Sequence, residues 1–228
     1  LKLIKTTFFS AIITFIRIAS GFVAGKTIAI FTGPVGVALV GAFTNFIAIT
    51  LTFANGAINT GIVKYTAEFK EDEQELKLLF STGVKISLFC SGIVGILLIT
   101  LAPYFSFLIF IKQEYANPIR VLGLTIILYS LNSLFISILN GKGQIKNYTI
   151  VNAVGTLVGL ITTVVLVYFF KIQGALYALV LSQSIVFFAT VSLILKSDWF
   201  SWSFFNKTFD KAIAKKLSHY SLMAITTA

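Results

Sequence analysis

The chain is poor in the residues on which catalytic sites are usually built. Of its 228 residues, eight are acidic, one is histidine and one is cysteine. Cys90 alone cannot close an internal disulfide and reads as a small buried hydrophobe. The lone His219 makes no metal site by itself, and no motif for a cofactor is present, so none is expected. The acids, Glu68, Glu71, Asp72, Glu73, Glu75, Glu114, Asp198 and Asp210, all fall outside the long apolar segments. Proton and sodium relays in membranes usually rest on buried carboxylates or histidines, and these segments have neither. Charged residues make up 11% of the chain, against about 25% in a usual soluble domain.

What is abundant is apolar. Hydrophobic residues reach 57% and the mean hydropathy is +0.94. Six apolar stretches, at 6–31, 37–63, 79–101, 119–139, 148–170 and 174–195, each approach or exceed the roughly 20 residues that a helix needs to cross a bilayer. The fold class expected is therefore all-α integral membrane, with residues 1–195 as a six-helix transmembrane lobe. Lys2 and Lys5 before the first stretch resemble the start of a signal peptide. That stretch is far longer than the ~7–15 residues of a signal core, so it reads as a retained helix. Residues 196–218 read as a cytoplasmic connection. Residues 219–228 read as the start of a seventh helix, too short to cross. That short run and the opening on Leu1 suggest an incomplete chain.

The formal charge of +10 is distributed by side. With the N-terminus in the cytoplasm, the cytoplasmic segments hold Lys2, Lys5, Lys64, Lys70, Lys77, Lys142, Lys146, Lys196, Lys207, Lys211, Lys215 and Lys216. The opposite side holds Lys112, Arg120 and Lys171. This is the positive-inside bias. It points to contact with anionic membrane lipids and away from nucleic acid as a partner. Trp199 and Trp202 read as interfacial anchors.

Inside the apolar segments, polar side chains fall in stripes. Ser10, Thr14, Arg17, Gly21 and Ala24 recur at helical spacing. Arg17 lies ~16 Å along the first helix from Thr6, near mid-depth, where a guanidinium costs about 2.5–3.5 kcal/mol on insertion scales. It reads either as a cavity-lining cation or as an interhelical hydrogen-bonding group. Lys26 lies about 180° around the helix from Arg17, so the two share one cavity only if the helix bends. Lys26 and Lys85 both also read as lysines that snorkel to an interface. Asn45, Thr52, Asn55 and Asn59 form a second stripe; Ser130, Ser133, Ser137 and Asn140 a third; Asn152, Thr156, Gly159 and Thr163 a fourth. Each stripe fits either helix packing or one wall of a hydrated groove. A buried charge that is purely cationic suits a phosphate-bearing lipid or an acidic sugar.

Several stretches resemble a known family: Gly25-Lys26, Gly33-Pro34-Val35-Gly36, Gly61-Ile62-Val63-Lys64-Tyr65-Thr66-Ala67-Glu68, Gln173-Gly174-Ala175-Leu176, and Lys216-Leu217-Ser218 leading into Leu222-Met223. In order along the chain, they resemble the Wzx-type flippases of lipid-linked O-antigen and enterobacterial common antigen repeat units. That family lies within the multidrug/oligosaccharidyl-lipid/polysaccharide exporter superfamily. The resemblance implies a transporter and not an enzyme, in the bacterial inner membrane, with twelve spans in two lobes. This chain would be the N-terminal lobe, and the missing C-terminal lobe would be its partner within the same protein. The cargo implied is an undecaprenyl-diphosphate-linked oligosaccharide moved from the cytoplasmic to the periplasmic leaflet, alongside other proteins of polysaccharide assembly. Arg17 and Lys26 match positions where relatives carry cations; early in the second helix, where relatives also carry one, this chain has Thr44 beside Asn45. The candidate substrate-binding residues are Arg17, Lys26, Asn45, Asn55, Asn59, Lys85 and Asn152. Alternatives are a multidrug or organic-ion exporter of the same superfamily, or a membrane enzyme of polysaccharide assembly.

Overall fold

Two short sequence features set the course of the longest helices. Pro34 has no N–H to donate and disfavours helical geometry in the residue before it. Gly33 accordingly takes φ 69° and ψ −174°, a conformation that a side chain would resist. It divides α1 (Lys2–Ala54) into two helical segments. In α6 (Ile145–Leu195) the division falls at Lys171, with φ 51° and ψ −124°, the geometry of the first central residue of a type II′ turn. Gly174 completes that corner, because a Cβ there would lie 1.9 Å from the Leu166 carbonyl oxygen. This computed structural model describes the backbone of residues 2–226 and the side chains of residues 11–220 except residue 12.

Between these helices lie α2 (Asn59–Glu68), α3 (Glu73–Thr100), α4 (Ala102–Phe110) and α5 (Ala116–Gly141); after a 3-10 turn at Trp202–Phe204 comes α7 (Lys211–Thr226). There is no strand among the described residues. Asp72 caps α3, its Oδ1 accepting from the N–H groups of Gln74 and Glu75, each at 3.0 Å. Such a cap satisfies donors that the first turn leaves open.

Packing joins α6 to α1 and α5, α3 to α5, α2 to α5, and α7 to α2. One core gathers Phe43 and Ile47 of α1, Leu98 of α3, Phe110 of α4, Ile119 and Ile126 of α5, and Leu176 of α6. A second joins Ile62, Phe80 and Ile138 to Phe204 and Leu217. Helices α3 and α5 cross where Gly95 and Gly123 face each other; a Cβ on either would lie within 2.8 Å of the other's carbonyl oxygen. Large apolar side chains also cover much of the outside. Phe15, Phe22, Phe89 and Phe169 are each 69–73% exposed. Water would not support that surface, whereas hydrocarbon does.

Four helices are long and apolar enough to cross a membrane: Ile13–Ala54, Glu73–Thr100, Ala116–Gly141 and Ile145–Leu195. The chain is a multi-pass, all-helical membrane protein with seven α-helices among the described residues, of which four are long enough to span, so the elements do not match the six separate spanning helices expected one to one. The expected stretch 37–63 is broken at Gly56 and Ala57, whose φ values are 62° and 54°. The expected stretches 6–31 and 148–170 merge with their neighbours. The connection after 101 holds α4, and α7 begins inside the stretch expected as the 196–218 connection. Of the expected seventh-helix start at 219–228, residues 227 and 228 lie outside the described residues.

Candidate functional site

The C-terminal segment of α1 carries small and polar residues at Thr44, Ala48 and Thr52, and Asn55 follows directly after its end. Spacings of three and four place them on one helix face. That face opens onto two cavities that share Ala48 as a wall. The first, about 220 Å³, is lined by Leu51, Thr52, Asn55, Asn59, Thr60 and Ser133, among others. The second, about 170 Å³, is lined by Thr44, Tyr129, Leu179, Ser182 and Gln183, among others. Together they form a furrow between α1, α2, α5 and α6, and no charged side chain among the described residues lines it.

Hydrogen bonds across the furrow fix its walls. The Ser130 hydroxyl of α5 donates to Asn55 Oδ1 and approaches the Ala54 carbonyl at 3.2 Å, so the end of α1 is tied to α5. Asn55 is 3% exposed. One turn along, Asn59 Nδ2 donates to Ser133 Oγ at 2.8 Å, while Asn59 Oδ1 is buried with no donor among the described residues. Behind the second cavity, Thr190 Oγ1 donates to Asn132 Oδ1 at 2.6 Å, and Asn132 Nδ2 donates to Gln183 Oε1 at 3.4 Å. In an apolar surrounding these partners matter, because an amide without one costs on the order of 1–3 kcal/mol.

Of the residues singled out from the sequence, the furrow brings together Asn55 and Asn59. Asn45 is exposed on α1 beside Thr44. Asn152 turns back on its own helix, its Nδ2 donating to the Tyr148 carbonyl at 2.7 Å. Arg17 and Lys26 are exposed on the first segment of α1. The packed side of that segment centres on buried Ser20, with Arg17 roughly 60° to one side and Lys26 roughly 120° to the other.

Lys85 belongs to a different constellation. Its Nζ donates to the Lys207 carbonyl at 2.7 Å. Nearby, Ser81 Oγ donates to the Phe204 carbonyl at 3.1 Å and accepts from the Lys207 N–H at 2.9 Å. Thr82 Oγ1 accepts from the Asp210 N–H at 3.1 Å. The segment after α6 is thus strapped to α3. Lys142 completes the strap, its Nζ lying 4.7 Å from the Trp199 ring centre and 5.4 Å from that of Phe204. Burial pushes the Lys142 amine down from its ordinary pKa, and the Glu73 carboxylate opposes that shift.

Sequence reasoning passed over Gln183, Asn132 and Tyr129. Gln183 and Asn132 carried a usable signal, since each is an amide near the middle of an apolar segment. Tyr129 gave none beyond its residue type.

Comparison with known proteins follows the same lines. The profile of the family described as polysaccharide biosynthesis protein matches residues 34–228. The lipid III flippases of Escherichia coli (strain K12) and Shigella flexneri are each 24% identical to this chain over 228 residues; the match covers 100% of this chain and 55% of theirs. The chain thus spans about half the length of the curated relatives it matches. Among solved structures, a multidrug/oligosaccharidyl-lipid/polysaccharide superfamily transporter from Pyrococcus furiosus superposes with a TM-score of 0.80 at 16% identity, covering 98% of this chain and 51% of that one. A MATE transporter in its straight conformation superposes with a TM-score of 0.77 at 18% identity, covering 98% and 52%. The resemblance to Wzx-type flippases read from the sequence agrees with the family profile and the flippase relatives.

Proposed function

The chain belongs to the polysaccharide biosynthesis protein family, and on that premise we propose that it moves an undecaprenyl-diphosphate-linked oligosaccharide across the bacterial inner membrane. The observation that carries the reading is the uncharged, hydrogen-bonding furrow between α1, α2, α5 and α6, inside a bundle whose outer surface is apolar. Sugar hydroxyls can pair with neutral donors and acceptors, which the hydrocarbon of a bilayer does not offer. The cargo is of the O-antigen or related class, passed from the cytoplasmic to the periplasmic leaflet.

In this reading each segment of α1 and α6 is one crossing, which with α3 and α5 makes six, and the N-terminus is cytoplasmic. The chain is one lobe, and a second lobe of the same protein closes the cavity. Arg17 and Lys26 meet the diphosphate; Asn55 and Asn59 meet sugar, with Asn45 and Asn152 at the margins. Lys85 serves the strap between the lobes. The lobes rock between states open to either side, carrying the headgroup past the hydrocarbon while the lipid tail stays in it. A cationic drug would have no carboxylate to meet in the furrow, which weighs against multidrug export.

Cells lacking their own flippase provide the test. The full-length protein is expected to restore surface polysaccharide, and Arg17→Ala is expected to lower it about tenfold or more at equal protein level, the loss expected for one charge-assisted phosphate contact. Full export by Arg17→Ala would remove Arg17 from the mechanism. No export by the unaltered protein, with matching cargo supplied, would reject the transport reading.

A further inference from the structure

Asn132, buried on α5, and Gln183, half-buried on α6, make up an interhelical amide pair. Asn132 is 1% exposed near the middle of α5, a costly place for an amide in a membrane protein. It spends one end of its amide on Thr190, which is fully buried on α6, and the other on Gln183, one residue before buried Ser184 and two turns N-terminal to Thr190. Both partners sit on α6, so besides joining α5 to α6 the two bonds fix which way the Gln183 amide faces. What the pair accomplishes is orientation. With one end of the Gln183 amide held by Asn132, the other end is left without a protein partner among the described residues, and Gln183 lines the 170 Å³ cavity.

That cavity has room for roughly five or six waters at about 30 Å³ each. Its polar lining is Thr44, Tyr129, Ser182 and Gln183. The held amide and the phenol offer donors, and the Thr44 and Ser182 hydroxyls, which donate to the Val40 and Leu179 carbonyls, offer acceptors, with no charge. A diphosphate would leave the strong fields of Arg17 and Lys26 to enter such a space, whereas a neutral hydroxylated ring is matched by it.

We infer that Gln183 is a specificity-determining contact for the uncharged sugar part of the headgroup, and that Asn132, anchored by Thr190, is its positioning residue. The inference rests on the transport reading above and divides the cargo in two, with cations on α1 holding the phosphates and the α5–α6 amides reading the sugar.

Binding of two carriers to the full-length protein in lipid nanodiscs separates the possibilities: the lipid-linked oligosaccharide, and the same lipid diphosphate without sugar. Gln183→Leu is expected to weaken the oligosaccharide form about tenfold, the loss of one hydrogen bond to the sugar, and to leave the sugar-free form within about twofold. Asn132→Ala is expected to skew the pair in the same direction, and the double variant to add little to Gln183→Leu, because Asn132 acts through Gln183. Gln183→Met, close in shape, carries the test if the leucine variant fails to accumulate. Equal weakening of both carriers would reduce Gln183 to a packing role, and no weakening of either would remove it from the site; both results overturn the inference while leaving the transport reading intact. Failure of the unaltered protein to bind either carrier would reject both readings.

Discussion

Arg17 and Gln183 lie at opposite ends of legibility. A guanidinium in an apolar run is visible in any sequence, because its cost in hydrocarbon is large whatever the fold. Gln183 is the quieter residue, because an intramembrane glutamine is as often packing as contact; only its partner Asn132, 51 positions away in the chain, gives it a direction. The Asn55–Ser130 bond, which spans 75 positions, is equally invisible to periodicity. Here the stripes at Asn55, Asn59, Ser130 and Ser133 were readable as stripes, but which stripe faces which is set by the three-dimensional crossing of α1, α2 and α5. At this scale Ser130→Ala is expected to destabilise the protein by about 1 kcal/mol. It leaves the buried Asn55 amide oxygen short of a donor, and bonds of this kind inside membranes average about 0.6 kcal/mol, with a maximum near 1.7. Thermal unfolding in detergent measures it, and an unchanged midpoint would mean that Asn55 finds another donor.

Among the elements, the helix breaks divide into those with a chemical signature and those without. Gly33-Pro34 announces the interruption of α1, since proline and glycine act there together. Lys171 does not, because a lysine in a positive-φ turn is a tertiary outcome. Asn55-Gly56 does carry a signature, because glycine readily takes the left-handed position that closes a helix. The Gly56 and Ala57 N–H groups bond the Phe53 and Thr52 carbonyls, each at 2.9 Å; the apolar count alone ran on to residue 63. The start of α3 was legible in hindsight from Asp72 and Glu75, the spacing of a cap with an acid three residues on, yet hydropathy placed it at 79. The α3–α5 crossing is the element contact with least room. Gly95→Leu would push a side chain against the Gly123 carbonyl, which a Cβ alone would approach to 2.7 Å. Overpacking of that kind costs about 1–3 kcal/mol, so the variant is expected to reach the membrane in lower amount and to unfold at lower temperature. Normal accumulation and an unchanged unfolding midpoint would show that the helices separate there at no cost.

For the whole molecule, class was the most legible property. Composition alone, with scarce acids and long apolar runs, specifies a bundle whose exterior is lipid-facing, and the exposed phenylalanines of α1, α3 and α6 agree. In the proposed function the furrow and the cations of α1 carry a sugar-bearing lipid headgroup from one leaflet to the other. Reconstitution of the full-length protein into vesicles containing a fluorescent lipid-linked oligosaccharide, followed by addition of a glycosidase outside, tests it most directly. With the protein present, the enzyme is expected to reach nearly all of the cargo. In empty vesicles, or with Arg17→Ala and Gln183→Leu combined, it is expected to reach only about half, the outer leaflet's share. An accessible fraction no greater with the unaltered protein than in empty vesicles would contradict the account.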